Sequence, residues 1–129
     1  MENEVLKVEA VIEIEVKMSI KIEDLDNCLG DAEQMPWFIF KGGSWSGVLK
    51  RGGSLQVLED DESGEPLIPH NITLEDVKKG LILWDQAAKN KPGSGIADTW
   101  ARFLKDGDYD GETSCILEQF VILGEYKYA

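Results

Sequence analysis

The sequence predicts an α+β fold: an antiparallel sheet built from the N-terminal half, and about three helices from the C-terminal half packed on one face. Two observations carry this reading. Residues 6–22 alternate, with Leu6, Val8, Ala10, Ile12, Ile14, Val16, Met18, Ile20 and Ile22 at even positions and polar side chains at nearly all odd ones. A period of two is that of a strand with one buried and one wet face. After residue 73 the apolar spacing becomes helical, as at Val77, Leu81, Trp84 and Ala88. Strands first and helices last, within 129 residues, reads as a single α+β domain spanning 1–129.

Residues 6–22 would run roughly 56 Å at about 3.3 Å per residue, longer than a compact domain of this size is wide. A strong bend or bulge near the middle is therefore expected, or an end that protrudes and pairs with a second copy. Residues 23–34 read as a short helix or turn with Leu25, Cys28 and Leu29 on one side. Residues 37–40 form a short apolar run read as a buried strand. Two Gly-Gly-Ser stretches, at 42–44 and 52–54, suggest hairpin turns flanking a strand at 45–50, with a further strand at 54–59.

Residues 60–69 form a polar loop containing Gly64, Pro66 and Pro69. Thr73 then opens a helix, with Asp76 three residues on as in a capping box. Its apolar stripe ends at a segment containing Lys89, Lys91, Pro92 and Gly93. Further helices are expected over 95–105, with Ile96, Trp100, Phe103 and Leu104 inward, and over 112–123, with Ile116, Phe120 and Leu123 inward. Gly124 is the stop of the last one, and Tyr126 and Tyr128 close the chain as a short strand or a docked tail.

Acids outnumber basic residues 25 to 13, a net charge of −12. More than half of the 25 acids sit in three windows without Lys or Arg: Glu23, Asp24, Asp26, Asp31 and Glu33; Glu59, Asp60, Asp61, Glu62 and Glu65; Asp106, Asp108, Asp110 and Glu112. Direct nucleic-acid binding is excluded, because it needs clustered Lys and Arg. A basic protein surface or a cation is what such patches attract. No apolar run reaches the roughly 20 residues that cross a bilayer, and no signal peptide opens the chain. A cytoplasmic location with Cys28 and Cys115 as thiols follows, a single disulfide being the alternative.

Asp106, Asp108 and Asp110 followed by Gly111 resemble the opening of a Ca²⁺ loop, in which alternate acids converge on one ion. The bidentate Glu of such a loop is missing: that position is Leu117, and Glu118 falls about 200° round the helix from Ile116, toward solvent. Asp110 and Glu112 also suit a helix N-terminus. His70, the one histidine, is expected to be a solvated loop residue without zinc partners. No Ser or Cys has an evident His base, and no acid stands in an apolar stretch that would raise its pKa, so no catalytic site is expected. Among the tryptophans Trp45, between Ser44 and Ser46, is the one expected to show a face to solvent or to a partner, a hairpin Trp folded onto its own sheet being the alternative, and Glu59, Asp60, Asp61 and Glu62 are the other candidates for partner contact.

The C-terminal third carries a pattern: acids opening a helix, Glu112-Thr113, Gln119, an apolar pair, Gly124-Glu125 and a closing Tyr128. Residues 72–76 with Gly80 and Leu81 precede it. Over 72–128 the chain resembles a group of small hypothetical proteins of tailed phages, prophages and mobile elements. The resemblance implies a phage or mobile-element origin. That group has no assigned activity, so no functional residue transfers. It also implies that an acid-Glu-Thr helix start is structural, which weighs against Ca²⁺.

Together these readings describe a non-enzymatic acidic binding protein acting by protein–protein contact. Its most specific form is an anti-defence inhibitor covering a basic nucleic-acid-binding surface. A cation-binding module on the loop at 106–111, needing Ca²⁺ and no other cofactor, is one alternative. A structural or assembly protein of a phage is another.

Overall fold

The computed structural model describes residues 11–14, 18–32, 37–41, 45–106 and 110–128. The elements, in order, are β1 (Val11–Ile14), β2 (Met18–Lys21), α1 (Ile22–Ala32), β3 (Phe38–Lys41), α2 (Trp45–Arg51), β4 (Ser54–Glu59), β5 (Ile68–Thr73), α3 (Leu74–Asn90), α4 (Gly95–Asp106) and α5 (Gly111–Ile122). The fold is α+β, with the sheets in the N-terminal half and α3–α5 packed together in the C-terminal half.

The alternating stretch is not one long strand. β1 and β2 pair antiparallel, with Val11 opposite Lys21, Ile12 opposite Ile20, Glu13 opposite Ser19 and Ile14 opposite Met18. The expected bend is thus a full reversal. Even-numbered positions are paired with even-numbered ones, the register that the alternation calls for. Residues 6–10 and 15–17 lie outside the described residues.

The second sheet has the order β3-β4-β5, all antiparallel. Phe38, Leu55, Val57 and Ile72 are buried on its inner face. Two sequence expectations fail here. Residues 45–50 are helical, because Trp45, Val48 and Leu49 fall at i, i+3 and i+4 and all three are buried. The first Gly-Gly-Ser stretch, at 42–44, lies outside the described residues; the second turns the chain at Gly52, with φ 74°. The loop at 60–69 is shorter than expected, since residues 68–73 form β5. An edge strand tolerates Pro69 where a central strand would not.

α1 buries Leu25, Cys28 and Leu29, as its spacing predicts. α3 follows β5 directly, and at its start Asp76 Oδ2 accepts from Thr73 N at 2.8 Å and from Thr73 Oγ1 at 3.1 Å. Its stripe of Val77, Leu81, Trp84 and Ala88 is buried as expected. Trp84 is the centre of an aromatic cluster, 4.6 Å from Trp100, 6.0 Å from Phe103 and 6.4 Å from Phe120 between ring centroids. Trp100 Nε1 donates to the buried Asp85 at 2.9 Å, and Lys89 Nζ lies 2.9 Å from the other oxygen of that carboxylate. Leu104 of α4 is exposed rather than inward.

α5 is the hub. It packs against α1, α3, α4 and β5, and Thr113, Ser114 and every residue from Ile116 to Ile122 are buried. Glu118 therefore does not point to solvent: it is 0% exposed. A one-faced helix would have put it outside, but α5 has neighbours on all sides. It crosses α3 at Gly80, where an added Cβ would lie 2.7 Å from Val121 Cα. Gly124, at φ 78°, ends the helix as expected, donating to the carbonyls of Gln119 and Phe120.

Candidate functional site

Two neighbouring features stand out, one at the surface and one beneath it. The first is the β4–β5 loop. Asp60 N donates to Trp37 O at 2.8 Å, which ties the loop to the start of β3. Asp60 Oδ1 accepts from Glu62 N at 2.9 Å, Asp61 Oδ1 accepts from Ser63 N at 3.1 Å and Ser63 Oγ at 2.7 Å, and Ser63 Oγ accepts from Glu65 N at 3.2 Å. The hydrogen bonds from Ser63 hold the Asp61 carboxyl below its ordinary pKa. Glu62 and Glu65 are exposed, and Asp60 and Asp61 are half-buried.

Beside the loop lies the outer face of the sheet. Opposed residues in antiparallel strands share a face, and the register sets Ile39, Leu58 and Pro69 in one row across all three strands. Ile39 is 45% exposed, Leu58 is half-buried and Pro69 is exposed, with Leu67 also exposed just before β5. An apolar row thus adjoins a carboxylate loop.

The second feature is a clamp on the C-terminal tail. Glu59, the last residue of β4, faces inward and is 3% exposed. Its Oε1 is 3.0 Å from His70 Nε2. Its Oε2 accepts from Tyr128 OH at 2.5 Å and from Lys127 Nζ at 3.1 Å. Burial pushes the Glu59 carboxyl up, but the hydrogen bonds from Tyr128, His70 and Lys127 together outweigh it and hold its pKa below the ordinary value. The same contact with Glu59 raises Lys127, and burial followed by the Glu59 hydrogen bond raises Tyr128. The Tyr128 ring stacks on Trp37, 5.0 Å between centroids and 10° from parallel, and meets Phe38 edge-on at 6.5 Å.

Gln119, buried on α5, holds the tail's backbone. Its Oε1 accepts from Lys127 N at 2.8 Å and from Tyr128 N at 2.5 Å, and its Nε2 donates to Tyr128 O at 2.7 Å. The closing residues are thus a docked tail rather than a strand. His70 is not a solvated loop residue: it sits on β5, half-buried against Glu59.

Of the residues singled out for partner contact, Asp60, Asp61 and Glu62 stay together on the loop. Glu59 is turned inward, and Trp45 is 1% exposed, packed edge-on against Phe40 at 5.7 Å. Trp45 shows no face to solvent, because it begins a helix whose apolar stripe it heads. Asp26, from the first acidic window, is engaged by Ser46 and lies 3.7 Å from Lys50.

The proposed Ca²⁺ ligands are not assembled by what is described. Asp108 lies outside the described residues, and of Asp106 only the backbone, at the end of α4, is placed. Asp110 is the N-cap of α5, its Oδ1 accepting from Thr113 N at 2.9 Å and Thr113 Oγ1 at 3.1 Å, with Arg102 Nη1 3.7 Å from Oδ2. The backbone hydrogen bond from Thr113 is the main reason its pKa is lowered. Among the described residues no group of three or more His, Cys, Asp or Glu side chains could hold a metal ion. No described helix is long and apolar enough to cross a membrane. No disulfide joins Cys28 and Cys115; Cys28 Sγ lies 3.5 Å from Ser114 Oγ, and burial raises the Cys115 thiol.

Four residues of the C-terminal pattern have a structural task. Thr113 takes the Asp110 cap, Gln119 holds the tail, Gly124 turns the helix end and Tyr128 reaches Glu59. No family model, curated protein or solved structure matches the chain.

Proposed function

We propose that this chain is a cytoplasmic, non-enzymatic binding protein of phage or prophage type that acts by contact with a basic surface of another protein. The observation that supports this most is the juxtaposition of the carboxylates of Asp60, Asp61, Glu62 and Glu65 with the exposed row of Ile39, Leu58 and Pro69. Carboxylates steer a basic partner and set its orientation, and an apolar row supplies the desolvated centre that gives affinity. In its most specific form the partner is a nucleic-acid-binding protein whose basic groove the loop covers in place of phosphates.

The test is capture of a host protein by the chain against a variant with Asp60→Asn, Asp61→Asn, Glu62→Gln and Glu65→Gln. Asn retains the oxygen that accepts the turn hydrogen bonds, so the loop should keep its shape. The captured protein should elute steeply with rising salt, be displaced by duplex DNA and bind the variant at least tenfold less. Capture that persists in molar salt, or that the variant matches, removes this reading.

A further inference from the structure

The contacts on the tail are those of peptide recognition. Of the tail, the Gln119 carboxamide contacts backbone, two N–H groups and one C=O, as a side-chain amide does when it binds an extended segment of any sequence, while its Nε2 also donates to Cys115 Sγ at 3.2 Å. Selectivity comes from the rest of the slot. Glu59 takes an ammonium and a phenol hydroxyl on one carboxylate oxygen, while His70 occupies the other. Trp37 presents a flat face for the phenol ring, with Phe38 at its edge. The Lys127 charge in turn helps, after the Ser63 hydrogen bonds, to hold the Asp61 carboxyl of the acidic loop below its ordinary pKa.

The tail brings little of its own. Among the described residues no backbone group between Gly124 and Tyr128 is paired with a strand, and Lys127 remains exposed. The slot, by contrast, is made from β3, β4, β5 and α5, four elements fixed by the core.

We infer that Trp37, Glu59 and Gln119, with His70 behind the carboxylate, form a receptor for a cation–tyrosine dipeptide, which the chain's own Lys127-Tyr128 fills in cis and a Lys-Tyr or Arg-Tyr segment of a protein partner fills in trans. The inference rests on the reading above only in taking that partner to be basic. Docking the segment places it next to the acidic loop, where further Lys or Arg in the partner meet Asp61. Until it arrives, the tail screens Trp37 and Glu59. A segment linked in cis competes at an effective concentration on the order of millimolar, so the tail sets a threshold that weak basic ligands do not pass.

The probe is a synthetic hexapeptide with the sequence of residues 124–129, Gly-Glu-Tyr-Lys-Tyr-Ala. The receptor is the full-length chain carrying Lys127→Ala and Tyr128→Ala, with its fold checked by circular dichroism. Binding is read from Trp37 emission and from the NMR signals of the Gln119 carboxamide. The vacated chain should bind the peptide at least tenfold more tightly than the wild type does. Replacing the peptide's Lys with Glu, or its final Tyr with Ala, should weaken binding by tenfold or more.

No binding by the folded double variant, or equal binding of the Lys-to-Glu peptide, overturns the inference. So does exchange of tails between copies, seen as a dimer in sedimentation, as the slot's main use in the wild type. Should the double variant not fold, Tyr128→Phe removes only the hydroxyl contact; it should admit the peptide more readily than wild type, and equal admission overturns the inference. Failure here with loop-dependent capture intact leaves the acidic-loop reading standing, and the opposite pair of results leaves only the receptor.

Discussion

Gln119→Leu should free the C-terminal tail without unfolding the rest. Ordering residues 126–128 costs about 3–6 kcal/mol, at 1–2 kcal/mol per residue. Against this stand the three hydrogen bonds from Gln119, worth about 3 kcal/mol in all. The bond from Tyr128 OH to the Glu59 carboxylate adds about 2 kcal/mol, the stack on Trp37 about 1 and burial of the ring about 2. The balance favours docking by roughly 2–5 kcal/mol. Losing the Gln119 share brings it close to zero. Leucine preserves the apolar surroundings of α5, and the global loss is capped by what docking contributed.

Amide hydrogen exchange decides the matter. Protection at Lys127 and Tyr128 should fall by about 100-fold, since 1.4 kcal/mol is tenfold. Trp37 emission should shift to the red as its face opens to water. The urea midpoint should move by no more than a docking free energy of a few kcal/mol allows. Unchanged protection at those two amides, or global unfolding with the tail still protected, would refute the reasoning.

Three other outcomes follow from the same structure. Gly80→Ala should destabilise: helix propensity gains about 1 kcal/mol, but the new Cβ meets Val121 backbone atoms at 2.7–2.8 Å, and overpacking costs about 1–3 kcal/mol or more where backbone must move. Val121→Ala should fail to rescue it in denaturant titrations, because the clash is with Cα and N as well as with the side chain. Asp110→Ala should cost about 1 kcal/mol by loss of the α5 cap, and Asp110→Asn much less. Tail docking, followed by Trp37 emission, should be lost at both ends of the pH scale. On the acid side Glu59 has its folded pKa below its ordinary 4.5, so its contribution is complete above that value and is lost as pH falls through the folded one. On the alkaline side Tyr128 and Lys127 are raised above 10.0 and 10.5, so theirs is complete below about 10 and lost as pH rises. Glu59→Gln should abolish the acid limb, and an acid limb that survives would assign it to another group.

Local signals in the sequence were read correctly where one element decides them. Thr73 and Asp76 box the start of α3, and its stripe needed nothing but the helical period. The hairpin of β1 and β2 preserves the same alternation a single strand would show, so periodicity could expose the stretch as too long but could not locate the reversal. At 45–51 the flanking glycines suggested turns, and the contrary signal, Trp45, Val48 and Leu49 at helical spacing, fills only two turns. β5 was hidden by Pro69, which an edge strand accommodates.

The site was less legible. Asp60, Asp61 and Glu62 are neighbours in sequence and stay so in space. Glu59 and Tyr128 are 69 residues apart, and no composition or spacing announces that they meet. Glu118 is hidden for a related reason: how deeply a helix is buried depends on what surrounds it, and α5 alone does not encode that.

That last helix also sets a timetable. α1, α3, α4 and β5 all lean on α5, which is made after every one of them. While the ribosome is still adding residues 111–122, the apolar faces of α1, α3 and β5 have no common partner. These elements must therefore wait, largely open, until α5 has left the ribosome, and then close on it. Premature termination before α5 should yield no smaller version of this protein, only chains with their apolar faces bared to chaperones and proteases.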